Sequence, residues 1–199
     1  TWASEGTMTT RTCRQSDAGK SRARGVRGKT AFLFILGILS LALFASSCVA
    51  ETPAPQDKRK QTAIGKYVTA RQAYGMWKAD PGRVKILDCR TREEYLTLGH
   101  PTMAYSIPAH VRTRGGALRD NPEFEALARQ RFTPEDILMV ICRAGFRSAE
   151  AVNRLAKAGF RNVYNIVDGF EGGNDGEGTA AGWKNSGAPW TYDVNPNLL

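Results

Sequence analysis

Ile137-Leu138-Met139-Val140-Ile141-Cys142-Arg143-Ala144-Gly145-Phe146-Arg147-Ser148 is the stretch that decides the fold. Five apolar residues in a row, Ile137 to Ile141, read as a strand buried on both faces. Such strands belong to parallel sheets covered by helices on either side. Cys142 comes next, at the carboxyl end of that strand, and Ser148 is read as the cap of a helix running to Lys157, stopped by Gly159. The carboxyl edge of an open α/β sheet is where ligands bind, so the chemistry is expected at Cys142. A loop curling from Cys142 into a helix aims successive backbone N–H groups inward. With the positive helix end and the side chains of Arg143 and Arg147, they favour an anion at their focus. The same field lowers a thiol's pKa and leaves a thiolate. Gly145 permits a backbone turn where a side chain would collide. A thiolate in a cup of donors can act as nucleophile, phosphate acceptor or sulfur carrier. A buried structural cysteine would need neither the two arginines nor the glycine.

Outward from this centre, short apolar runs alternate with helical stretches, the pattern of a parallel α/β sheet. Thr69 caps a helix to about Lys78, and Asp80-Pro81-Gly82 is a turn before the strand Val84-Lys85-Ile86-Leu87-Asp88. Thr91-Arg92-Glu93-Glu94 is a capping box opening a short helix closed by Gly99. Ala104 to Ile107 is a short strand, and Asn121-Pro122 starts a helix through about Gln130. Val163 to Val167 is a further strand, and from Gly169 the chain is expected to wrap the surface.

Cys142-Arg143-Ala144-Gly145-Phe146-Arg147-Ser148 is similar to the sulfurtransferase loop Cys-x-x-Gly-x-Arg-Ser/Thr, and the chain resembles the rhodanese family. Asp88-Cys89-Arg90-Thr91-Arg92-Glu93-Glu94-Tyr95 resembles the family's Asp-x-Arg-x-x-x-Glu-Tyr segment. Gly99-His100-Pro101 with Ala104-Tyr105-Ser106-Ile107-Pro108 is similar to a second, and Leu155 to Gly169 to a third, with Asp168-Gly169 where two glycines are usual. Gly182-Trp183 and Pro189-Trp190 resemble its closing segment. The resemblance covers about residues 66–192. It implies a rhodanese-like three-layer α/β/α domain with a five-stranded parallel sheet. It also implies a Cys142 persulfide, filled from a small anionic donor such as thiosulfate and emptied by cyanide or by a thiol on a small molecule or protein. Arg143, Ala144, Gly145, Phe146, Arg147 and Ser148 would bind the donor, and Asp88 and Arg90 would brace the loop. No cofactor and no metal is implied. A protein-binding or sulfur-delivery module without turnover is the alternative. Phosphatases and arsenate reductases of the same fold are disfavoured, because they use Cys-x5-Arg whereas four residues separate Cys142 from Arg147.

Charge and composition bound the rest. With 42% apolar and 24% charged residues over 199, wholesale disorder, collagen and a polytopic membrane protein are excluded, and four cysteines are too few for a disulfide scaffold. The net charge of +9 is mostly N-terminal: residues 1–30 hold seven Lys/Arg against two acids, while residues 61–199 hold 18 against 15. A nucleic-acid role therefore loses its main support. From Met8, a basic stretch precedes an uncharged run whose strongly apolar core is 31–45, a signal-peptide length. Residues 1–50 are read as a hydrophobic targeting extension, 51–65 as a linker, 66–192 as the domain and 193–199 as a tail. Ala45-Ser46-Ser47-Cys48 resembles a lipoprotein box with Cys48 lipidated; cleavage before Glu51 and an uncleaved anchor are the other readings. All three predict a bacterial domain exported to the periplasm, tethered to the membrane in the first and third.

Three further sets of residues have bland readings beside sharper ones. Cys89 is read as a small buried hydrophobe, with resolution of an oxidised Cys142 as the sharper reading. His100 is read as a structural histidine of the resembled type rather than a base. Trp77, Trp183 and Trp190 are read as core or rim packing.

Overall fold

The computed structural model describes residues 52–174 and 179–199. The expected signal run 31–45 and Cys48 lie outside the described residues. Among the described residues no helix is long and apolar enough to cross a membrane.

The elements run in the order β1 (Tyr67–Val68), α1 (Ala70–Ala79), β2 (Val84–Asp88), α2 (Arg92–Leu98), β3 (His100–Pro101), β4 (Ala104–Ser106), β5 (His110–Arg112), β6 (Leu118–Asp120), α3 (Phe124–Arg131), β7 (Ile137–Ile141), α4 (Phe146–Lys157) and β8 (Val163–Ile166). After them come β9 (Gly173–Asn174), β10 (Thr179–Ala180), α5 (Gly182–Asn185) and β11 (Trp190–Thr191). Five strands form one parallel sheet in the order β1-β8-β7-β2-β4, so β7 is central, as its unbroken apolar run requires.

Side-chain alternation along β7 builds two cores. Leu138, Val140 and Cys142 face a layer of α3 and α4, with Phe124, Ala128, Val152 and Leu155. Met139 and Ile141 face the opposite layer, where Ala70, Ala73, Tyr95 and Trp183 come from α1, α2 and α5. All four apolar residues from Leu138 to Ile141 are fully buried, each stabilising the sheet by about 1.5–3 kcal/mol.

Local signals fix the helix starts. Thr69 accepts the Gln72 N–H and Thr91 accepts the Glu94 N–H, each within a complete capping box. Three expectations change. Helix α4 begins at Phe146 with Gly145 as its N-cap, so Ser148 is not a cap but lies inside the first turn. Glycine reaches the required φ of +90° without side-chain strain, and the cap therefore needs no hydroxyl. The chain after Gly169 does not merely wrap the surface: Trp183 is fully buried and its indole N–H donates to Pro189 O at 3.0 Å. Residues 52–65 do not hang free as a linker either. Lys60 is only 4% exposed, its ammonium donates to Val167 O and its own carbonyl accepts from Asn165 Nδ2.

Candidate active site

Cys142 leaves β7 with its side chain on the α3/α4 face, 1% exposed, at the floor of an open cleft of about 460 Å³. The chain then turns back through Arg143 and Ala144 to Gly145. Two glycines make that turn possible. A Cβ on Gly145 would lie 2.2 Å from Val167 O, and one on Gly169 (φ +62°) would lie 2.6 Å from the Ala144 nitrogen. The loop is thus pressed against the chain after β8, and its N–H groups are turned toward the sulfur.

The sulfur is densely supplied with donors. Gly145 N–H donates to Cys142 Sγ at 3.2 Å, and Ser148 Oγ lies 3.3 Å from it. Ser148 Oγ also lies 2.7 Å from Asn165 Oδ1, whose amide group is oriented by its donations to the Lys60 and Gly145 carbonyls. The one hydroxyl proton therefore has two acceptors in reach, and a charged sulfur competes for it better than a neutral one. Burial alone would raise the Cys142 thiol. Hydrogen bonds from the Cys89 thiol, the Ser148 hydroxyl and the Ser148 and Ala144 backbone N–H groups outweigh it, and the pKa falls from 9.0 to about 5.

The two guanidinium groups line the cleft, but neither is a free charge. Arg147 forks onto Glu94, with both N···O distances 2.7 Å. Arg143, two-thirds exposed, donates to Glu171 at 2.8 Å. Burial would push the Glu94 carboxyl up, yet Arg147 and the Thr91 N–H hold it at about 2. The positive field expected from two arginines is therefore largely cancelled by carboxylates, and the loop amides and the start of α4 carry the attraction for an anion. Phe146 stands at the rim, 36% exposed, with the Arg59 and Lys60 cations 4.8 and 4.9 Å from its ring centre.

Asp88 and Arg90 do not brace the loop as expected. Their buried ion pair (2.6 Å) ties the end of β2 to the Gly99 carbonyl, which accepts from Arg90 Nη2 at 2.7 Å. That bond fixes the close of α2, the helix that presents Glu94. His100 stacks on Tyr95 at 3.6 Å and its Nδ1 lies 3.0 Å from Tyr95 O, fully enclosed. Residues that sequence reasoning misses are Glu94, read only as part of a capping box, Asn165, and Arg112 and Leu118 on the hairpin β5–β6 at the cleft rim. An asparagine amid apolar strand residues is a usable signal, since a buried amide must be hydrogen-bonded.

Two other features of the described residues lack this chemistry. A cavity of about 240 Å³ lies against residues 52–57 and Lys60 and is lined by no cysteine. His110, Asp120 and Glu150, from three separate elements, bring metal-ligand atoms within 4.8 Å of one another, with Nε2 3.4 Å from each carboxylate. The two acids are exposed, and the group does not line the Cys142 cleft.

A parallel five-stranded sheet with a cysteine loop at its carboxyl edge is the architecture of rhodanese-like domains. The family model described as "Rhodanese-like domain" matches residues 70–175, more than half of the chain, and the chain belongs to that family. It is similar to a thiosulfate sulfurtransferase of Arabidopsis thaliana chloroplasts, 32% identical over 105 residues, covering 53% of this chain and 78% of the relative. It is also similar to an uncharacterised protein of Rickettsia conorii, 33% identical over 113 residues, covering 54% of this chain and 82% of the relative. Among solved structures, the Mycobacterium tuberculosis protein Rv0390 superposes with a TM-score of 0.52 at 31% identity, covering 64% of this chain and all of that one. Family membership and the sulfurtransferase relative together support a role of the sulfurtransferase type.

Proposed function

We propose that the chain is a sulfurtransferase that moves sulfane sulfur from an anionic donor such as thiosulfate to a thiophilic acceptor through a persulfide on Cys142. The observation that carries the reading is the buried sulfur with its converging donors and a pKa of about 5. A thiolate attacks the outer sulfur of thiosulfate, the sulfur–sulfur bond breaks, and sulfite leaves with the electron pair. The persulfide's negative charge then takes over the donors that held the thiolate, the Ser148 hydroxyl and the Gly145 N–H among them. Cyanide or a thiol next attacks the outer sulfur and returns the Cys142 thiolate.

Loop length favours this over phosphoryl transfer. Four residues between Cys142 and Arg147 make a cup one residue tighter than a Cys-x5-Arg loop, suited to a single sulfur rather than a phosphoryl group. The test is thiocyanate formation from thiosulfate and cyanide, with Cys142→Ser as the comparison. Activity that vanishes in the variant supports the enzyme. Equal background in both supports a binding or sulfur-delivery module, and phosphate release from an aryl phosphate supports the phosphatase.

We propose further that the domain works in the bacterial periplasm, held to the membrane through the N-terminal segment or a lipid on Cys48. The basic stretch before the apolar run 31–45 and the small residues before Cys48 support this. Mass spectrometry of the mature N-terminus checks it: a diacylglyceryl adduct on Cys48 is the expected signal, and an unprocessed cytoplasmic chain contradicts it.

A further inference from the structure

Beyond the loop, a second thiol sits on the strand beside the one that carries the reactive sulfur. β2 and β7 run parallel with Leu87 opposite Val140 and Asp88 opposite Ile141, and Cys89 N–H continues the ladder by donating to Ile141 O at 2.9 Å. The next residue on each strand is a cysteine. Alternation puts both on the same face: Leu87 with Cys89, and Val140 with Cys142, all in the α3/α4 core. Neighbouring strands lie roughly 4.8 Å apart, within the Cα range of about 4.4–6.8 Å that disulfides span. Both thiols are free and enclosed, and both side chains enter the same core cluster. Cys142 lines the open cleft and Cys89 does not, so the chemical partner within reach of Cys89 is whatever Cys142 carries.

We infer that Cys89 discharges the Cys142 persulfide from within when no external acceptor is bound, releasing hydrosulfide and leaving a Cys89–Cys142 disulfide. This rests on the persulfide reading above. The charged outer sulfur of the persulfide takes the Cys89 proton, and the Cys89 thiolate so formed attacks the inner sulfur, Cys142 Sγ. The Sγ–Sγ bond forms as the bond from Cys142 Sγ to the outer sulfur breaks. The outer sulfur, already protonated, leaves with that electron pair as hydrosulfide. A thiol and a persulfide thus become a disulfide and hydrosulfide; the transferred sulfur is reduced and the two cysteine sulfurs are oxidised. A dithiol reductant, attacking at the Cys142 side, restores both thiols. Burial keeps Cys89 protonated while it waits, and the proton it keeps is the one the departing sulfur needs.

The intact chain, treated with thiosulfate and no acceptor, tests this by peptide mass mapping under non-reducing conditions together with hydrosulfide trapping. The expected result is sulfite release, then up to one equivalent of hydrosulfide per chain, with the Cys89 and Cys142 peptides joined and two hydrogens lighter. Cys89→Ala, and Cys89→Ser as a second variant of different polarity, should keep the added sulfur on Cys142 and release no hydrosulfide. Excess cyanide should divert the sulfur of the unsubstituted chain into thiocyanate and suppress the disulfide. A parent chain that holds the added sulfur as long as both variants do, without hydrosulfide, overturns the inference while leaving the persulfide reading intact. If neither parent nor variant gains sulfur and no sulfite appears, the persulfide reading fails and takes this inference with it.

Discussion

Cys142 and Cys89 occupy adjacent strand ends, face the same core and are equally hidden from solvent, yet their thiols move in opposite directions. Burial raises Cys89 well above 9.0, and the nearby Cys142 and Asp88 charges push it the same way. Burial presses equally on Cys142, but donors bring it down to about 5. The donors each sulfur meets make the difference: for Cys142 the Cys89 and Ser148 side chains come first and backbone N–H groups after them, and the chain that follows each cysteine sets which N–H groups are loose. After Cys89 the chain enters the capping box of α2, where the Thr91 N–H is taken by Glu94 and the Glu94 N–H by Thr91. After Cys142 the chain turns at Gly145, no side chain caps α4, and the loose N–H groups return to the sulfur. A capped helix start quenches its own field, whereas an uncapped one lends it to a neighbour.

The largest test of this contrast is Cys142→Ser, expected to lower thiocyanate formation by at least about 10³-fold, since the nucleophile itself is lost. Steady-state assay checks it. Gly145→Ala should come next: with φ at +90° and its Cβ 2.2 Å from Val167 O, the loop must open, which costs about 2–4 kcal/mol by denaturant titration and misplaces the Gly145 N–H. The loss of transfer should exceed the loss expected from the unfolded fraction alone. Ser148→Ala removes one donor without touching the backbone. The Cys142 alkylation profile should then shift alkaline by about one pH unit, the worth of one hydrogen bond to a charged group. An unshifted profile would mean the hydroxyl serves Asn165 only.

Glu94→Gln should have the smallest effect on transfer. Removing the carboxylate that offsets Arg147 leaves a freer positive charge at the cleft, and the KM for thiosulfate should fall by roughly threefold at low salt, an effect that added salt erases. Stability should move the other way. Because the folded Glu94 pKa of about 2 lies below its ordinary 4.5, its contribution is fully present above pH 4.5 and is lost as pH falls toward 2. The stability gap between parent and variant should therefore close over that window in acid titrations followed by circular dichroism.

Much of this molecule is legible in its sequence because the signals are local. The run Ile137 to Ile141 fixes the central strand, Thr69 and Thr91 announce their helices through Gln72 and Glu94, and Gly145 marks the turn. The parts that are not legible depend on residues far apart in the chain. Nothing local says that Arg147 will meet Glu94, 53 residues away, or that Arg143 will meet Glu171, 28 residues away. The cancellation of their charge is a tertiary fact. Sequence alone puts the cap of α4 three residues late, because a left-handed glycine caps without a side chain while Ser148 is the usual cap type. Residues 52–65 are polar and proline-bearing like a linker, but the anchoring of Lys60 depends on Asn165 and Val167 across the sheet edge.

The most direct measurement is the rate of Cys142 alkylation between pH 3 and 10, read on its own peptide by mass spectrometry so that Cys89 is scored in the same digest. Reactivity of Cys142 should rise tenfold per pH unit below about pH 5 and then level off, while Cys89 stays unlabelled across neutral pH. A Cys142 rate still climbing through pH 8, near the midpoint of an ordinary thiol, would show that the loop amides do not stabilise the thiolate.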